Sequence, residues 1–215
     1  MKLPKKQVIG TTSWLVPGTY YENALIASPF VDFIELLVYT WDEDTKALLI
    51  SEIEKLNSLT EKNNLLYTVH LPTDNIINVE MAYDFFLKSN LKIINYVLHP
   101  MEGIEKFLLK NGKNVSLENL KEEIVYHENL TFDIGHHMLG KKFPKSYIKN
   151  IREVHLMGVI GEEDHLKLNE ATLNELINFL GERLTSIPII CFEVFNIDDA
   201  VESILLFSRY TNKEG

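Results

Sequence analysis

The sequence predicts a single α/β domain, a (β/α)8 TIM barrel, formed by all 215 residues. Eight segments with strand-like patterning alternate with helix-like segments along the whole chain, which favours a parallel sheet built from βα units. No shift in composition marks a boundary between two domains. An open doubly wound sheet is the structural alternative, but the chain lacks a glycine-rich phosphate loop of the GxGxxG or GxxxxGK type.

The first half of the chain contains four predicted strands and three predicted helices. The second strand is apolar almost throughout and is interrupted only by Asp32 and Glu35, as is typical of a strand buried on both faces. In the second helix, Leu49, Ile53 and Leu56 recur at steps of three and four residues. The predicted strands cover residues 7–12, 31–39, 65–72 and 94–100, and the predicted helices cover residues 20–27, 44–63 and 79–88.

The second half repeats this alternation with shorter connections. In the sixth strand, Leu130, Phe132 and Ile134 alternate with polar residues, and Gly135 is expected to end the run. The predicted strands are 114–120, 130–135, 153–160 and 188–195, and the predicted helices are 104–110, 121–127 (a brief crossover), 145–151, 170–184 and 200–210. A polar loop, residues 161–165, is expected to follow the seventh strand.

Composition excludes several classes of function. The formal net charge of −10 disfavours a nucleic-acid-binding protein, which needs a basic face. The single cysteine, Cys191, excludes an internal disulfide and lies in an apolar run, so we expect an inert core residue. No signal-peptide pattern and no apolar stretch of membrane-spanning length is found, so a cytoplasmic protein without membrane partners is expected.

Imidazole and carboxylate side chains gather at the predicted carboxyl ends of the strands. A barrel brings these ends to one rim, where the active sites of such proteins lie. Five of the seven histidines belong to this set. Its members are His70, His99, Glu118, Asp133, His136, His155 and Glu193, with Asp164 and His165 on the loop after the seventh strand.

These residue types favour a site for one to three divalent cations, namely Zn²⁺, Mn²⁺ or Fe²⁺. Glu118, in the middle of the set, is the candidate for a carboxylate that bridges two cations. Such cations polarise a phosphoryl or carbonyl oxygen and lower the pKa of bound water. Each residue taken alone has a structural alternative, such as a loop hydrogen bond for His70 and His99 or a helix cap for Asp133, but these alternatives do not explain the shared location.

Position along the predicted strands bears on the roles of individual polar residues. Glu193 lies in an apolar strand, where an unpaired carboxylate is costly. Glu35 either faces the barrel mouth and contacts substrate or forms an ion pair in the core. Thr11 and Thr12, at the end of the first strand, are candidate substrate-binding residues. His127 and His137 are predicted to lie outside the site, with His127 in the crossover helix.

The set of ligands resembles that of the xylose-isomerase-like superfamily of TIM barrels. Glu118, Asp133, His155 and Glu193 match the pattern of its sugar isomerases and epimerases. His70, His99, His136 and the Asp164–His165 pair match additions typical of its endonuclease IV branch. The endonuclease motif spaces its acid and histidine two residues apart, so Glu163 is the alternative to Asp164 as the loop ligand.

Segments spread over nearly the whole chain are similar to the cobamide-remodelling phosphodiesterases of corrinoid salvage. They include Gly10-Thr11-Thr12-Ser13, Tyr67-Thr68-Val69-His70-Leu71-Pro72, Phe132-Asp133-Ile134-Gly135-His136 and Phe192-Glu193-Val194-Phe195. The resemblance implies a metal-dependent hydrolase that cuts the nucleotide-loop phosphodiester of a cobamide, with Glu118 or Glu193 orienting the attacking water. Two alternatives remain: a sugar phosphate isomerase or epimerase that uses one metal, and a non-catalytic corrinoid- or metal-binding module.

Overall fold

A computed structural model of the chain, describing residues 6–211, confirms the predicted (β/α)8 barrel. Eight parallel strands close into a barrel in the order β1, β10, β7, β6, β5, β4, β3, β2. The barrel strands are β1 (Val8–Thr12), β2 (Phe33–Leu37), β3 (Leu66–His70), β4 (Ile93–Leu98), β5 (Val115–Glu118), β6 (Leu130–Asp133), β7 (Ile151–Leu156) and β10 (Ile189–Phe192). A separate antiparallel hairpin consists of β8 (Gly158–Ile160) and β9 (Glu163–Leu166).

The helices lie along the connections between the strands. They are α1 (Tyr20–Ala27), α2 (Glu43–Asn63), α3 (Ile76–Lys88), α4 (Ile104–Asn111), α5 (Ile134–Leu139), α6 (Glu170–Leu180) and α7 (Ile197–Thr211). Short 3-10 turns cover Gly112–Asn114, Lys145–Asn150 and Gly181–Ser186. The main core fills the space between the barrel and these helices, as the alternating apolar pattern of the strands and helices predicts.

Helix α2 shows how local sequence sets the bounds of an element. The Asp42 carboxylate accepts a hydrogen bond from the backbone N–H of Thr45 at 2.8 Å, which caps the first turn. At the other end, Asn64 takes a left-handed conformation with φ of 56° and stops the helix. Leu49, Leu56 and Leu59 are buried on the face that packs against the barrel.

Three connections differ from the prediction. Residues 121–129 contain no helix, so the predicted crossover helix with His127 is wrong and this connection is a loop. Strand β6 ends at Asp133 rather than Gly135, because the Asp133 carboxylate accepts the backbone N–H of His136 and so starts helix α5. The predicted long seventh strand stops at Leu156, and the polar loop after it is instead the β8–β9 hairpin.

The interior of the barrel is layered from apolar to polar. Val8, Phe33, Ile94, Ile189 and Cys191 form a small apolar cluster at the amino-terminal end, and burial raises the pKa of the Cys191 thiol well above its usual value. Cys191 is fully buried, as expected. Above this cluster lies a layer of buried polar side chains, which hydrogen-bond to one another: Glu35, Thr68, Asn95, Ser116, Thr131 and Glu153.

Among the described residues, no helix combines the length and apolarity that crossing a lipid bilayer requires.

Candidate metal centre

Glu118, the last residue of β5, lies at the centre of the polar cluster at the carboxyl ends of the strands. Its Oε2 lies 3.0 Å from Nε2 of His99 and 3.1 Å from Nε2 of His70. Its Oε1 lies 3.2 Å from Nδ1 of His155 and 3.8 Å from Nδ1 of His136. The two carboxylate oxygens therefore face two different groups of histidines.

A second group of side chains shares Glu118 with the first. This group adds Asp133, His155 and Glu193, which lie at the ends of neighbouring strands. Each of the four residues, Glu118 included, offers one ligand atom, and these four atoms all lie within 4.8 Å of one another. Nδ1 of His155 lies 3.4 Å from Oε2 of Glu193. All four side chains are buried. Parallel pairing sets Asp133 of β6 beside His155 of β7, and Glu193 lies two residues beyond Cys191, the partner of His155 on β10.

The orientation of the histidine rings fits a metal site. Nδ1 of His70 lies 3.1 Å from the carbonyl oxygen of Leu71. Nδ1 of His136 lies 2.7 Å from the carbonyl oxygen of Asn119, and Nδ1 of His165 lies 3.2 Å from that of Glu193. When Nδ1 donates its proton to a carbonyl, Nε2 keeps a lone pair that can bind a cation. Three histidines from three different elements, β3, α5 and β9, share this arrangement, which holds the ring and selects its tautomer.

Two carboxylate oxygens in the cluster also require a ligand. Within residues 6–211, Oδ2 of Asp133 and Oε1 of Glu193 are buried and have no hydrogen-bond partner. Leaving such atoms unpaired costs about 1–3 kcal/mol or more each. A divalent cation held by the neighbouring carboxylates and imidazoles, together with its water, would pair these oxygens and remove that cost, so the donor set fits the predicted metal.

The hairpin after β7 brings Asp164 and His165 to the edge of this cluster. Nε2 of His165 lies 3.9 Å from Oδ1 of Asp164, and its Nδ1 lies 3.8 Å from Oε2 of Glu193. His165 has a positive φ of 55°, which breaks the alternation along β9 and allows adjacent residues to approach each other. Glu163 is exposed, whereas Asp164 is partly buried and pairs with Lys121 Nζ at 2.7 Å. Of the two acids, Asp164 therefore lies with the cluster.

Burial and charge shift the pKa values of the central groups in opposite directions. Burial opposes the charge on His155, but the carboxylates of Glu193, Glu35 and Glu118 outweigh it and raise the pKa well above its usual value. Burial likewise opposes ionisation of Glu118, yet His155 and His99 hold its pKa well below the usual value. Burial raises the pKa of Asp133 to about 6, although His136 partly offsets that effect.

The three predicted substrate-binding residues, Thr11, Thr12 and Glu35, are fully buried. Glu35 is fully buried, accepts a hydrogen bond from Thr68 at 2.9 Å and lies 3.4 Å from Nε2 of His155. The core ion pair, one of the two alternatives for Glu35, therefore matches the structure, and a contact with substrate stays a prediction. Thr11 and Thr12 are also fully buried, and their hydroxyls contact the carbonyl of Phe192 and the backbone N–H of Trp14.

The two histidines predicted to lie outside the site do lie elsewhere. His137 accepts a hydrogen bond from the backbone N–H of Phe143 and contacts the ring of Phe179. His127 packs beside Gly112, and burial lowers its pKa. Neither residue belongs to the groups around Glu118.

Two residues near the cluster, Glu153 and Tyr39, were not among those predicted from the sequence. Glu153 is fully buried two residues before His155, and burial, together with Glu35, raises its pKa well above the usual value. Strand periodicity could have identified it, since residues two apart share a face. Tyr39 lies edge-on to His70 at 4.7 Å between ring centroids. No sequence signal marks Tyr39, because an aromatic residue after an apolar strand is more often part of the core.

Comparison with known proteins adds little beyond the fold. No protein-family model matches the chain, and no curated protein matches it. Among solved structures, it is similar to a dihydropteroate synthase of Xanthomonas albilineans, determined with indole-2-carboxylic acid and 6-chloroguanine, with 9% identity and a TM-score of 0.42. The match covers 96% of this chain and 93% of that one. A likeness this distant carries no argument about chemistry, and membership of the xylose-isomerase-like superfamily stays a prediction.

Proposed function

We propose that the protein is a metal-dependent phosphodiester hydrolase whose centre is built around Glu118. The observation that carries the proposal is the position of its carboxylate between two groups of ligands. Oε2 faces His70 and His99, whereas Oε1 faces His155. A carboxylate with one oxygen toward each group is suited to bridge two cations, the arrangement that many phosphoester-cleaving proteins use.

Each group of residues has a role in this proposal. His70, His99 and Glu118 would hold one cation, and Glu118, Asp133, His155 and Glu193 would hold a second. His136, Asp164 and His165 lie at the rim beside them and offer ligands for a third. When bound, such cations neutralise the phosphate and lower the pKa of a nearby water.

In this proposal, Glu193 orients the attacking water, and Glu118 is the alternative residue for that role. Its Oε1 is buried and unpaired within the described chain, while Oε2 is engaged by His155. The pKa of Glu193 is about 2, because His155 outweighs the opposing effect of burial, so the carboxylate is ionised at neutral pH. In the reaction, the water oxygen bonds to phosphorus and the P–O ester bond breaks. The leaving oxygen finally carries a proton from the water.

The proposed substrate class follows from the sequence resemblance rather than from the site. It is the nucleotide-loop phosphodiester of a cobamide, which would be cut into a nucleoside and a cobinamide phosphate. The test is incubation of metal-loaded protein with adenosylcobalamin, followed by mass spectrometry of the products. Cleavage that is lost on chelation and in Glu118→Gln supports the proposal. Intact substrate with fully metal-loaded protein would instead favour the binding-module alternative.

One observation favours a second candidate, an isomerase or epimerase of sugar phosphates. Glu118, Asp133, His155 and Glu193 by themselves form a complete set of four ligands for one cation. With one cation bound, Glu118 and Glu193 would flank it and could move a proton between carbon atoms. Metal stoichiometry separates the two functions, since one tightly bound cation per chain favours the isomerase and two or three favour the hydrolase.

A further inference from the structure

Three aromatic side chains form a continuous shelf at one side of the barrel mouth. Trp14 follows β1, Tyr39 follows β2 and Phe195 follows β10, and these three strands are neighbours in the barrel. The ring centroid of Trp14 lies 5.4 Å from that of Tyr39 and 5.8 Å from that of Phe195, both in edge-on contact. We name these three residues the aromatic shelf.

The aromatic shelf adjoins the candidate metal centre at both of its ends. Tyr39 contacts His70 edge-on at 4.7 Å, and Phe195 stacks on His165 at 4.7 Å with an angle of 22° between the rings. Two of the proposed ligand residues are therefore in direct contact with the shelf. A ligand whose charged group reaches the metal centre would place its next few atoms over these rings.

Two of the three shelf residues, Trp14 and Phe195, are exposed, although they are large and apolar. Trp14 is 47% exposed and Phe195 is 37% exposed, whereas the other tryptophan, Trp41, is 8% exposed. Exposed aromatic clusters that border a polar cleft mark ligand-binding sites more often than isolated surface residues do. The shelf consists of rings from three separate connections, and rings bind flat, delocalised groups by stacking more strongly than aliphatic side chains do.

We propose that the aromatic shelf binds a planar heteroaromatic group of the substrate while its phosphate lies at the metal centre. This inference rests on the proposed function and deepens it, because it restricts the substrate to phosphoesters that carry a flat nitrogen-containing ring. Because the planes of Trp14 and Phe195 are 64° apart, the group stacks on one of these rings and contacts the edge of the other. Tyr39 supports Trp14 through the edge-on contact between their rings. Phosphoesters with the same sugar phosphate but no ring bind more weakly.

The test compares two ligands that differ only in the ring. Adenosine 5′-phosphate and ribose 5-phosphate are titrated calorimetrically into protein loaded with Mn²⁺. Wild-type protein is expected to bind the nucleotide about tenfold more tightly, within the range measured for stacking of a base on an aromatic side chain. Trp14→Ala and Phe195→Ala should abolish most of this preference, and Trp14→Phe should retain it. Tyr126→Ala is the matched control, since Tyr126 is exposed and contacts Tyr147 rather than the shelf.

The outcomes separate this inference from the proposed function. The proposed role of the aromatic shelf would be overturned if wild-type protein bound the two ligands equally or bound neither. It would also be overturned if the preference survived in Trp14→Ala and Phe195→Ala. Binding is measured without turnover, so a protein that prefers the ringed ligand but cleaves no phosphodiester would retain the shelf and refute the hydrolase alone.

Discussion

Nε2 of His155 lies 3.4 Å from Oε2 of Glu35, while Nδ1 of the same ring lies 3.2 Å from Oε1 of Glu118. The imidazole thus spans two layers of the barrel, with a buried acid on one side and the candidate metal centre on the other. Carboxylates placed behind a metal-binding histidine hold the ring in position and increase its basicity. Glu35 is therefore a positioning residue for His155 in this account.

Replacing Glu35 with Gln should weaken metal binding without unfolding the barrel. The amide keeps the shape and can still accept the Thr68 hydroxyl, but it removes the charge that faces His155. We expect metal affinity to fall about 10- to 100-fold, as is usual for such partners. The measurement is competition with a chelating dye.

Glu52→Gln is the matched control, because Glu52 is a buried carboxylate that accepts the backbone N–H of Tyr21, outside the groups around Glu118. Equal effects of the two variants would assign Glu35 a merely structural role.

Replacing His99 with Asn should remove one bound cation and leave the others. His99 and His70 face the same oxygen of Glu118, so loss of Nε2 at position 99 leaves one imidazole on that side. His127→Asn provides the control, since His127 lies beside Gly112 and outside the ligand groups. Elemental analysis of both purified variants should show a lower metal content for His99→Asn only. A normal content in His99→Asn would exclude His99 from the centre.

Metal affinity should rise with pH through the neutral range. Burial raises the pKa of Asp133 to about 6, so its carboxyl becomes increasingly protonated below that pH and must lose a proton to bind a cation. The pKa of His155 is also raised, because Glu193, Glu35 and Glu118 outweigh burial, and this ring must lose a proton as well. Calorimetric titrations in buffers of different ionisation enthalpy should show protons released on binding. An affinity that stays constant from about pH 5.5 to about pH 8 would contradict this account.

Gly158→Ala should displace the β8–β9 hairpin. An added Cβ at Gly158 would meet the backbone carbonyl of Lys167 across the hairpin at an impossibly short distance. Backbone atoms cannot move aside as a flexible side chain can, so we expect a loss of about 1–3 kcal/mol in urea unfolding. The hairpin carries Asp164 and His165, so the third cation, which these residues would help to bind, should be lost before the other two. Gly18→Ala is the control, because the one close approach of its Cβ, at 2.9 Å, is to the carboxylate at the far end of the Glu22 side chain. If Gly158→Ala unfolds at the same urea concentration as the wild-type protein, the hairpin adjusts to the added methyl group and this prediction is wrong.

Strand periodicity and strand order were enough to predict the barrel and the residues at its carboxyl end. Closure of a parallel sheet into a barrel brings the carboxyl ends of its strands together, whatever the conformation of the connections. The residues at these ends include Glu118, Asp133, His155 and Glu193. The sequence could therefore predict that these side chains are neighbours. Whether they bind a cation stays a prediction that only an experiment with metal can test.

Features that depend on the conformation of a connection were not predictable in the same way. Helix α5 begins because the Asp133 carboxylate accepts the backbone N–H of His136 and so caps its first turn. The alternating pattern continues through Ile134, so the sequence alone predicts a strand where this helix begins. The aromatic shelf depends on how three loops fold, so nothing local distinguishes Trp14 or Tyr39 from core residues. Glu35 occupies a strand position that fits the core and the mouth equally well, and only the depth of its layer decides between them.

The most direct test of the central claim is anomalous diffraction from crystals grown with Mn²⁺ or Zn²⁺, recorded at the absorption edge of the metal. The account predicts at least two anomalous peaks at the mouth of the barrel, one bounded by His70, His99 and Glu118 and the other by Glu118, Asp133, His155 and Glu193. A single peak in the second group would favour the isomerase. No peak among these side chains, with cations bound elsewhere or not at all, would contradict the account.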